Sequence, residues 1–166
     1  MGIFTMSTYL EKINVYKFFD DAIIPTRSKP TDCGLDLYAL EDVFIPVGET
    51  RKVKTGIALD IPVGHIGKIE DRSGMAAKGL RTGGGVVDPG YNGDVTVVLH
   101  NLNNNDADDE TKLDRIVTRF QFGYQIYKGD KIAQMVIYKV DTPALQEVGE
   151  LWNSERGNNG FNSTGR

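Results

Sequence analysis

The sequence has little of several features that specialised classes of protein require. It contains one cysteine, Cys33, among 166 residues, so it can form neither an internal disulfide nor a cysteine-based metal cluster. It has no run approaching the roughly 18 apolar residues of a transmembrane helix, which argues against a membrane-spanning protein. It also lacks an excess of positive charge, since its net charge is -4 at pH 7. We therefore expect no binding to nucleic acid through an overall basic field.

The N-terminus lacks the features of an exported protein. It has no basic start followed by a long apolar run, which is the pattern of a signal peptide. Met1 and Gly2 could open a myristoylation signal, but the sixth residue is Met6, where that signal requires Ser or Thr. Without these signals we expect a cytoplasmic protein. We expect about one domain, because 166 residues can bury a full hydrophobic core.

Glycine and proline are abundant and separate short runs rich in Val, Ile, Tyr and Thr. The 19 glycines and 6 prolines favour an all-β sandwich or barrel over a helical fold. The predicted strands are 14–16, 43–45, 51–61, 65–72, 94–101, 124–127 and 131–140. Only two segments have helical patterns. The helix predicted over 73–78 is followed by Gly79, a residue that commonly ends helices. Residues 108–120 have apolar residues at helical spacing after an acidic start, although a strand over 116–122 also fits.

Residues 82–93, TGGGVVDPGYNG, are the stretch around which the chain is organised. Its three consecutive glycines allow a close approach of the backbone, because glycine has no Cβ. Val86 and Val87 predict the end of a strand, and Asp88-Pro89-Gly90 predicts a turn. The result would be a short hairpin with exposed main-chain groups and with Asp88 near the bend. On this segment alone, the favoured interpretation is a surface hairpin whose aspartate caps its own turn.

Three further segments combine polar side chains with strand ends. Residues 31–39 place Asp36 in an apolar strand end. Residues 71–78 join a strand directly to a short helix, so that main-chain N–H groups, the Ser73 hydroxyl and Arg72 can face one anion. Residues 128–136 embed the amide of Gln134 in an apolar strand, where it could also be an ordinary outward-facing residue.

Two segments depart from the strand pattern. Residues 103–122 carry five acidic and three basic residues between two strands, which is typical of a surface excursion, unless their apolar stripe binds a partner. Residues 153–166 contain one apolar residue, Phe161, which buries too little area to offset the ordering of the backbone. This segment is either a disordered tail or an arm that becomes ordered on an anionic, base-bearing ligand.

In this order, the motifs DLYA, RSGMAAKG, GVVDPGYNG, GDKIAQ and RG..GF.STG resemble the five motifs of the trimeric dUTP pyrophosphatases, or dUTPases. The resemblance runs from about residue 31 to 165, excluding the insertion. It implies a jelly-roll, β-barrel-like domain over 1–152 with an insertion at about 103–122, and a flexible arm over 153–166. It also implies a homotrimer with three shared active sites. Each site would combine the first, second and fourth motifs of one subunit, the 82–93 segment of a second, and the arm of a third.

The resemblance implies hydrolysis of dUTP to dUMP and pyrophosphate, which lowers dUTP and supplies dUMP for thymidylate synthesis. Asp88 matches the carboxylate that deprotonates the attacking water, and Gln134 matches an amide that fixes the water and the phosphate. Mg²⁺ is implied, held mainly by the substrate phosphates and by water, with Asp36 near its water shell. The implied substrate-binding residues are Arg72, Ser73, Gly74, Gly85, Val86, Val87, Asp88, Tyr91, Gln134, Arg156, Phe161, Asn162, Ser163 and Thr164.

The same resemblance implies how the nucleotide is selected. Main-chain groups of residues 85–91 would read uracil, and the Tyr91 ring would pack on the deoxyribose and leave no space for a 2′-hydroxyl. Phe161 would stack on the base, and Arg156 would bind the γ-phosphate. The sequence departs from the family pattern in the asparagine-rich arm and at Pro89-Gly90. Its insertion lies where some bacteriophage members also carry extra sequence, which is consistent with a phage origin and action in the host cytoplasm.

Two alternative functions fit parts of the sequence. The dCTP deaminases share the fold and a similar turn, but they need a glutamate on the following strand. The corresponding residue here is Val98, and a hydrocarbon cannot transfer a proton. The second alternative is a nucleotide-gated interaction protein that acts on a regulator through residues 103–122, with hydrolysis secondary.

Overall fold

Short antiparallel strands form almost all of the regular structure. The computed structural model describes residues 10, 12–103, 123–152 and 154. The elements in these residues are β1 Val15–Lys17, β2 Leu35–Tyr38, β3 Val43–Pro46, β4 Thr50–Lys54, β5 Ile57–Leu59, β6 His65–Glu70, α1 Ser73–Ala76, β7 Leu80–Gly83, β8 Val86–Val87, β9 Thr96–Asn101, β10 Gly123–Ile126 and β11 Lys131–Lys139. The predicted all-β class is confirmed. Within these residues, no helix has the length and apolar character needed to cross a membrane.

The strands form four small sheets, in the orders β2-β11-β6-β8, β4-β9-β7, β1-β5 and β10-β3. The four-stranded sheet has β11 near its centre. Its residue Gln134 lies opposite Asp36 of β2 on one side and opposite Glu70 of β6 on the other. The segments that carry the first, second and fourth motifs therefore lie side by side.

The core lies between the inward faces of these sheets. Side chains on β9 alternate between partly and fully buried positions, as expected for a strand with one face on a core. Leu37, Val97 and Met135 are fully buried, and each such side chain contributes about 1.5–3 kcal/mol to folding. This packing fixes the strand ends that carry the polar motifs.

Several predicted boundaries differ from those observed. The strand predicted over 51–61 is two strands, because Gly56 between them has a φ of +72°, which an extended strand cannot adopt. β7 was not predicted, since its sequence Leu80–Gly83 has no clear alternation. The predicted helix after Arg72 is confirmed but shorter, and Gly79 follows it with a φ of +77°. The helix predicted over 108–120 lies outside the described residues.

The hairpin predicted around Asp88 has a different pairing. β7 pairs with β9 in the three-stranded sheet, whereas β8 pairs with β6 in the four-stranded sheet. Gly84 and Gly85, which lie between β7 and β8, therefore carry the chain from one sheet to the other. The turn itself is confirmed: the Tyr91 amide donates to the Asp88 carbonyl oxygen at 3.2 Å, and Pro89 followed by Gly90 at φ +79° is typical of a type II turn.

Candidate active site

Polar groups from three neighbouring segments meet beyond the end of β6. We call this set the Arg72 cluster; it comprises Asp36, Arg72, Ser73, Lys131 and Gln134. Arg72 Nε donates to Asp36 Oδ1 at 2.9 Å, and Arg72 Nη1 donates to the Lys131 carbonyl oxygen at 3.1 Å. Lys131 Nζ donates to Asp36 Oδ2 at 2.7 Å. One nearly buried carboxylate therefore holds both cations in place.

The Arg72 cluster has one more positive than negative charge among its three ionised side chains. The hydrogen bond from Lys131 to Asp36 raises the pKa of Lys131 above its ordinary value of 10.5, so this lysine stays charged at neutral pH. Arg72 uses two of its N–H groups in the contacts described, and a guanidinium has five. Its remaining donors are suited to a phosphate, which guanidinium groups bind strongly.

The first residues of α1 add main-chain donors to this cluster. The amides of Met75 and Ala76 donate to the Arg72 carbonyl oxygen, which leaves the amides of Ser73 and Gly74 without a main-chain acceptor within the described part of the chain. Both residues are exposed, and the space around Gly74 is open. Free amides at the start of a helical turn attract anions, as the sequence predicted for this segment.

Gln134 is held by the residue that precedes Arg72. Its Nε2 donates to the Asp71 carbonyl oxygen at 2.9 Å. A Cβ on Gly34 would lie only 2.1 Å from Gln134 Oε1, so the amide can occupy this position only because residue 34 is glycine. Gln134 is thus a fixed member of the cluster and not a freely exposed strand residue.

A pocket of about 210 Å³ lies between β8 and β9, next to the turn. We call it the Asp88 pocket; its lining residues are Ile69, Gly84, Val86, Val87, Asp88, Tyr91, Val95 and Thr96. It exists because β8 and β9 belong to different sheets and do not pair with each other. The Asp88 side chain is exposed and has no hydrogen-bond or ion-pair partner among residues 12–103 and 123–152. In this part of the chain it does not cap its own turn.

The glycines before β8 place its main chain against β6. The Ile69 amide donates to the Gly85 carbonyl oxygen at 2.7 Å, and a Cβ on Gly85 would lie 2.6 Å from the Ile69 carbonyl oxygen. Gly84 has a φ of +60°, which favours glycine. The close approach predicted for these glycines is therefore an approach to the neighbouring strand, and it forms one wall of the Asp88 pocket.

Asp88 and the Arg72 cluster lie toward opposite ends of β6. Val87 pairs with Gly67, and Asp88 lies beyond that pair, toward the start of β6. From Gly67 to the end of the strand at Glu70 is about 10 Å at roughly 3.3 Å per residue, and Arg72 follows two residues later. A single chain therefore does not bring the Asp88 carboxylate to the Arg72 guanidinium.

The predicted arm residues Arg156, Phe161, Asn162, Ser163 and Thr164 lie outside the described residues, as does almost all of the 103–122 insertion. No group of three or more His, Cys, Asp or Glu side chains is placed to hold a metal in the parts of the chain that the structure describes. A magnesium ion at this site would need most of its ligands from elsewhere.

Comparison with known proteins decides the family. The dUTPase family model matches residues 20–165. This chain belongs to the dUTPase family.

Individual relatives agree with this dUTPase assignment. The deoxyuridine 5′-triphosphate nucleotidohydrolase of Clostridioides difficile is 38% identical over 156 residues, which cover 92% of this chain and 97% of the relative. The Staphylococcus bacteriophage 80alpha dUTPase with dUpNHpp has a TM-score of 0.82 and 31% identity, and the match covers 95% of this chain and all of that one. Its structure is described with the statement that phage dUTPases control transfer of virulence genes by a proto-oncogenic G protein-like mechanism.

A second phage dUTPase bears on the metal. A point mutant of the phage phi11 enzyme of S. aureus has a TM-score of 0.74 and 30% identity, covering 86% of this chain and 99% of that one. Its structure is described as revealing the coordination of a structural Mg(II) ion. These matches confirm the predicted jelly-roll dUTPase fold.

Sequence reasoning missed three residues in or beside the dUTPase motifs. Gly34 makes room for Gln134, and Lys131 shares Asp36 with Arg72. Asp71 accepts from the Thr82 amide at 2.6 Å and pairs with Arg81 at 2.8 Å, which fixes β7 beside the cluster. Each residue stands close to a predicted site residue in the sequence, but the contact that explains it is with a distant segment.

Proposed function

We propose that this protein hydrolyses dUTP to dUMP and pyrophosphate, as a dUTP diphosphatase. The observation that carries the proposal is the exposed carboxylate of Asp88, which has no partner among the described residues and lies beside the Asp88 pocket. The same dUTPase family chain also has the separate, cation-rich Arg72 cluster. The reaction would take place in the cytoplasm, or in the host cytoplasm if the protein is encoded by a phage. It removes dUTP and supplies dUMP.

The Asp88 pocket would bind the uracil base. Its volume of about 210 Å³ is below the ~300–1,000 Å³ of pockets for drug-sized ligands, so it suits a single ring and not a whole nucleotide. Because β8 pairs with β6 and not with β9, those main-chain groups of 85–91 that are not already hydrogen-bonded within the chain can bond to the base edge. Cytosine would present the wrong donor pattern, at a cost of ~1–3 kcal/mol per buried unsatisfied group. The methyl group of thymine would need additional space.

The Arg72 cluster of another subunit would bind the phosphates. Arg72 is already oriented by Asp36, and the amides of Ser73 and Gly74 have no main-chain acceptor among the described residues. In the arm, Arg156, Ser163 and Thr164 would add phosphate contacts, and Phe161 and Asn162 would close over the nucleotide. Ring stacking of this kind contributes roughly 1–3 kcal/mol per base.

Asp88 would act as the general base. Its carboxylate would accept a proton from a water whose oxygen attacks the α-phosphorus in line with the leaving pyrophosphate. The bond from the α-phosphorus to the bridging oxygen breaks, and the products are dUMP and pyrophosphate. Gln134, held by the Asp71 carbonyl oxygen, would orient the water and the α-phosphate.

The described residues fit a magnesium ion that is held chiefly by the triphosphate and by water, as Mg²⁺ prefers. When bound, the ion would neutralise charge on the phosphates. Both oxygens of Asp36 contact a cationic group, so we propose that Asp36 primarily orients Arg72 and Lys131. Any contact of Asp36 with the metal would run through water.

A homotrimer with shared active sites would bring the two half-sites together. Within one chain, Asp88 and the Arg72 cluster are separated along β6, so each needs a partner from another copy. The segment after β11 leaves large apolar side chains uncovered: Leu145, Leu151 and Trp152 are 98%, 86% and 88% exposed. A surface of this kind is typical of a subunit interface. The arm over 153–166 would complete a neighbouring site.

Pyrophosphate release with dUTP, dTTP, dCTP and UTP, with and without Mg²⁺, tests the proposal. We expect turnover of dUTP in great excess over the others, and strong dependence on Mg²⁺. Comparable turnover of all four nucleotides would contradict it. Ammonia release from dCTP would instead indicate a deaminase, although Val98 offers no carboxylate for that reaction.

A second candidate function is nucleotide-gated binding of a regulatory protein through residues 103–122. The description of the similar 80alpha dUTPase, that phage dUTPases control transfer of virulence genes by a G protein-like mechanism, favours it. The first residue of the insertion is also tied to the site: Asn103 Nδ2 donates to the Lys78 carbonyl oxygen at 2.9 Å, and Lys78 follows α1 by two residues. Deletion of 104–122 should leave dUTP turnover nearly intact if this segment serves only a partner. Loss of turnover with retained folding would contradict a partner-only role.

A further inference from the structure

The Tyr91 ring is held in one place by the residues beyond the turn. Its Oη donates to the Asp94 carbonyl oxygen at 3.1 Å, and the ring lies directly over Gly93. A Cβ on Gly93 would be 2.6 Å from Tyr91 Oη and 2.7 Å from Cζ, which is closer than Cβ atoms approach other heavy atoms. The observed ring position therefore requires glycine at 93.

Asp94 is itself anchored to the body of the protein. Its Oδ1 accepts from the Gly56 amide at 2.9 Å and from the Thr55 amide at 3.3 Å. Thr55 is buried, and its Oγ1 donates to the Val95 carbonyl oxygen at 2.6 Å. The carbonyl group that receives the Tyr91 hydroxyl is thus fixed to the connection between β4 and β5.

We propose that Gly93 and Asp94 are positioning residues that set the discrimination between deoxyribose and ribose by holding the Tyr91 ring. This inference rests on the proposed function, in which the ring packs on the sugar. Tyr91 is 48% exposed, so packing against neighbours covers only about half of it, and an exposed aromatic side chain otherwise samples several rotamers. The hydrogen bond to the Asp94 carbonyl oxygen and the position of the ring where a Cβ of residue 93 would lie supply the restriction.

The substitution Gly93→Ala tests this with little other disturbance. Gly93 is not among the glycines with positive φ, so alanine can adopt its backbone conformation. The three heavy atoms nearest the added methyl group all belong to the end of the Tyr91 side chain, which must move. We expect the ratio of kcat/KM for dUTP to that for UTP to fall about tenfold or more. Moving the ring that excludes the 2′-hydroxyl should reduce discrimination at least as much as one methylene contact in a pocket does. The melting temperature should change little.

Three further variants make the test specific. Lys52→Ala is the control, because Lys52 is exposed on β4 and belongs to neither half-site, and its ratio should equal that of the wild type. Tyr91→Phe removes only the hydroxyl donor and should lower the ratio by a smaller factor. In a Tyr91→Ala background, adding Gly93→Ala should leave the ratio unchanged, because Gly93 acts only through the ring.

The outcomes separate this inference from the proposed function. Absence of dUTP turnover in the wild type would contradict the function itself. If the wild type prefers dUTP and Tyr91→Ala lowers the ratio, a wild-type ratio in Gly93→Ala would overturn the inference alone. So would an equal effect of Gly93→Ala with and without the Tyr91 ring.

Discussion

Replacing Asp36 by asparagine should disable phosphate binding without unfolding the protein. Asp36 is 8% exposed and accepts from Arg72 and from Lys131. Asparagine keeps one acceptor for Arg72 but presents an amide NH₂ group to the Lys131 ammonium, so at least one charge-assisted hydrogen bond is lost. Such a bond contributes roughly 1.5–3 kcal/mol. Because about a third of each cationic side chain is exposed, water can replace part of this, and we expect a loss of about 1.5–2 kcal/mol in the free energy of unfolding.

The effect of Asp36→Asn on activity should be larger than its effect on stability. A displacement of about 1 Å in a positioning group can cost ~10²-fold in rate, and Arg72 loses the partner that orients it. We expect kcat/KM for dUTP to fall by that order, mostly through KM. Urea unfolding and steady-state kinetics on the same preparation measure both.

Asp21→Asn is a matched control for this experiment. Asp21 also pairs with a lysine, Lys128, but its side chain is 57% exposed, and exposed pairs contribute little to stability. Unchanged kinetics in Asp36→Asn would refute the assignment of Asp36 as the residue that orients Arg72. A loss of activity in Asp21→Asn of the same size would show that the effect is not local.

Four other outcomes are expected. Asp88→Asn should lower turnover by ~10²–10⁴-fold with nucleotide binding largely kept, and normal turnover would remove Asp88 from its role. Gly34→Ala should displace the Gln134 amide and reduce kcat by about 10²-fold, and wild-type kcat would show that the amide is not required. Truncation before Arg156 should leave the melting temperature nearly unchanged and almost abolish turnover, and full activity would exclude the arm from the site. Asp36 raises the pKa of Lys131 above 10.5, so the stability that this pair contributes is fully present below pH 10.5 and is lost as the pH rises through the pKa of Lys131 in the folded protein. The difference in the free energy of unfolding between the wild type and Lys131→Met should therefore be constant from about pH 7 to 10.

Strand positions were largely predictable because alternation and glycine punctuation are local properties. The partly and fully buried residues of β9 follow directly from its sequence. Gly56 shows the limit of this reasoning, because a positive φ that splits one predicted strand into two is not visible in composition. The pairing of β8 with β6 was also inaccessible, since Val86 and Val87 fit a local hairpin equally well until the crossing between sheets is seen.

The candidate site was predictable to the extent that its residues lie in recognisable motifs. Arg72, Asp88 and Gln134 were found in this way, through resemblance to a family. Gly34 and Lys131 were not, because their importance comes from contacts across the sheet, 100 residues away for Gly34 with Gln134 and 95 for Lys131 with Asp36. The separation of Asp88 from Arg72 within one chain depends on strand register, which no local pattern reveals.

Complementation between two inactive variants tests most directly whether the active site is shared between chains. Asp88→Asn and Arg72→Ala should each be nearly inactive alone. When the two chains are co-expressed, a site that takes Asp88 from one copy and Arg72 from another can be intact, and random assembly of a symmetric oligomer should restore about a quarter of wild-type turnover per site. If the two residues served the same site from one chain, the mixture would be as inactive as either variant, and that result would contradict this account.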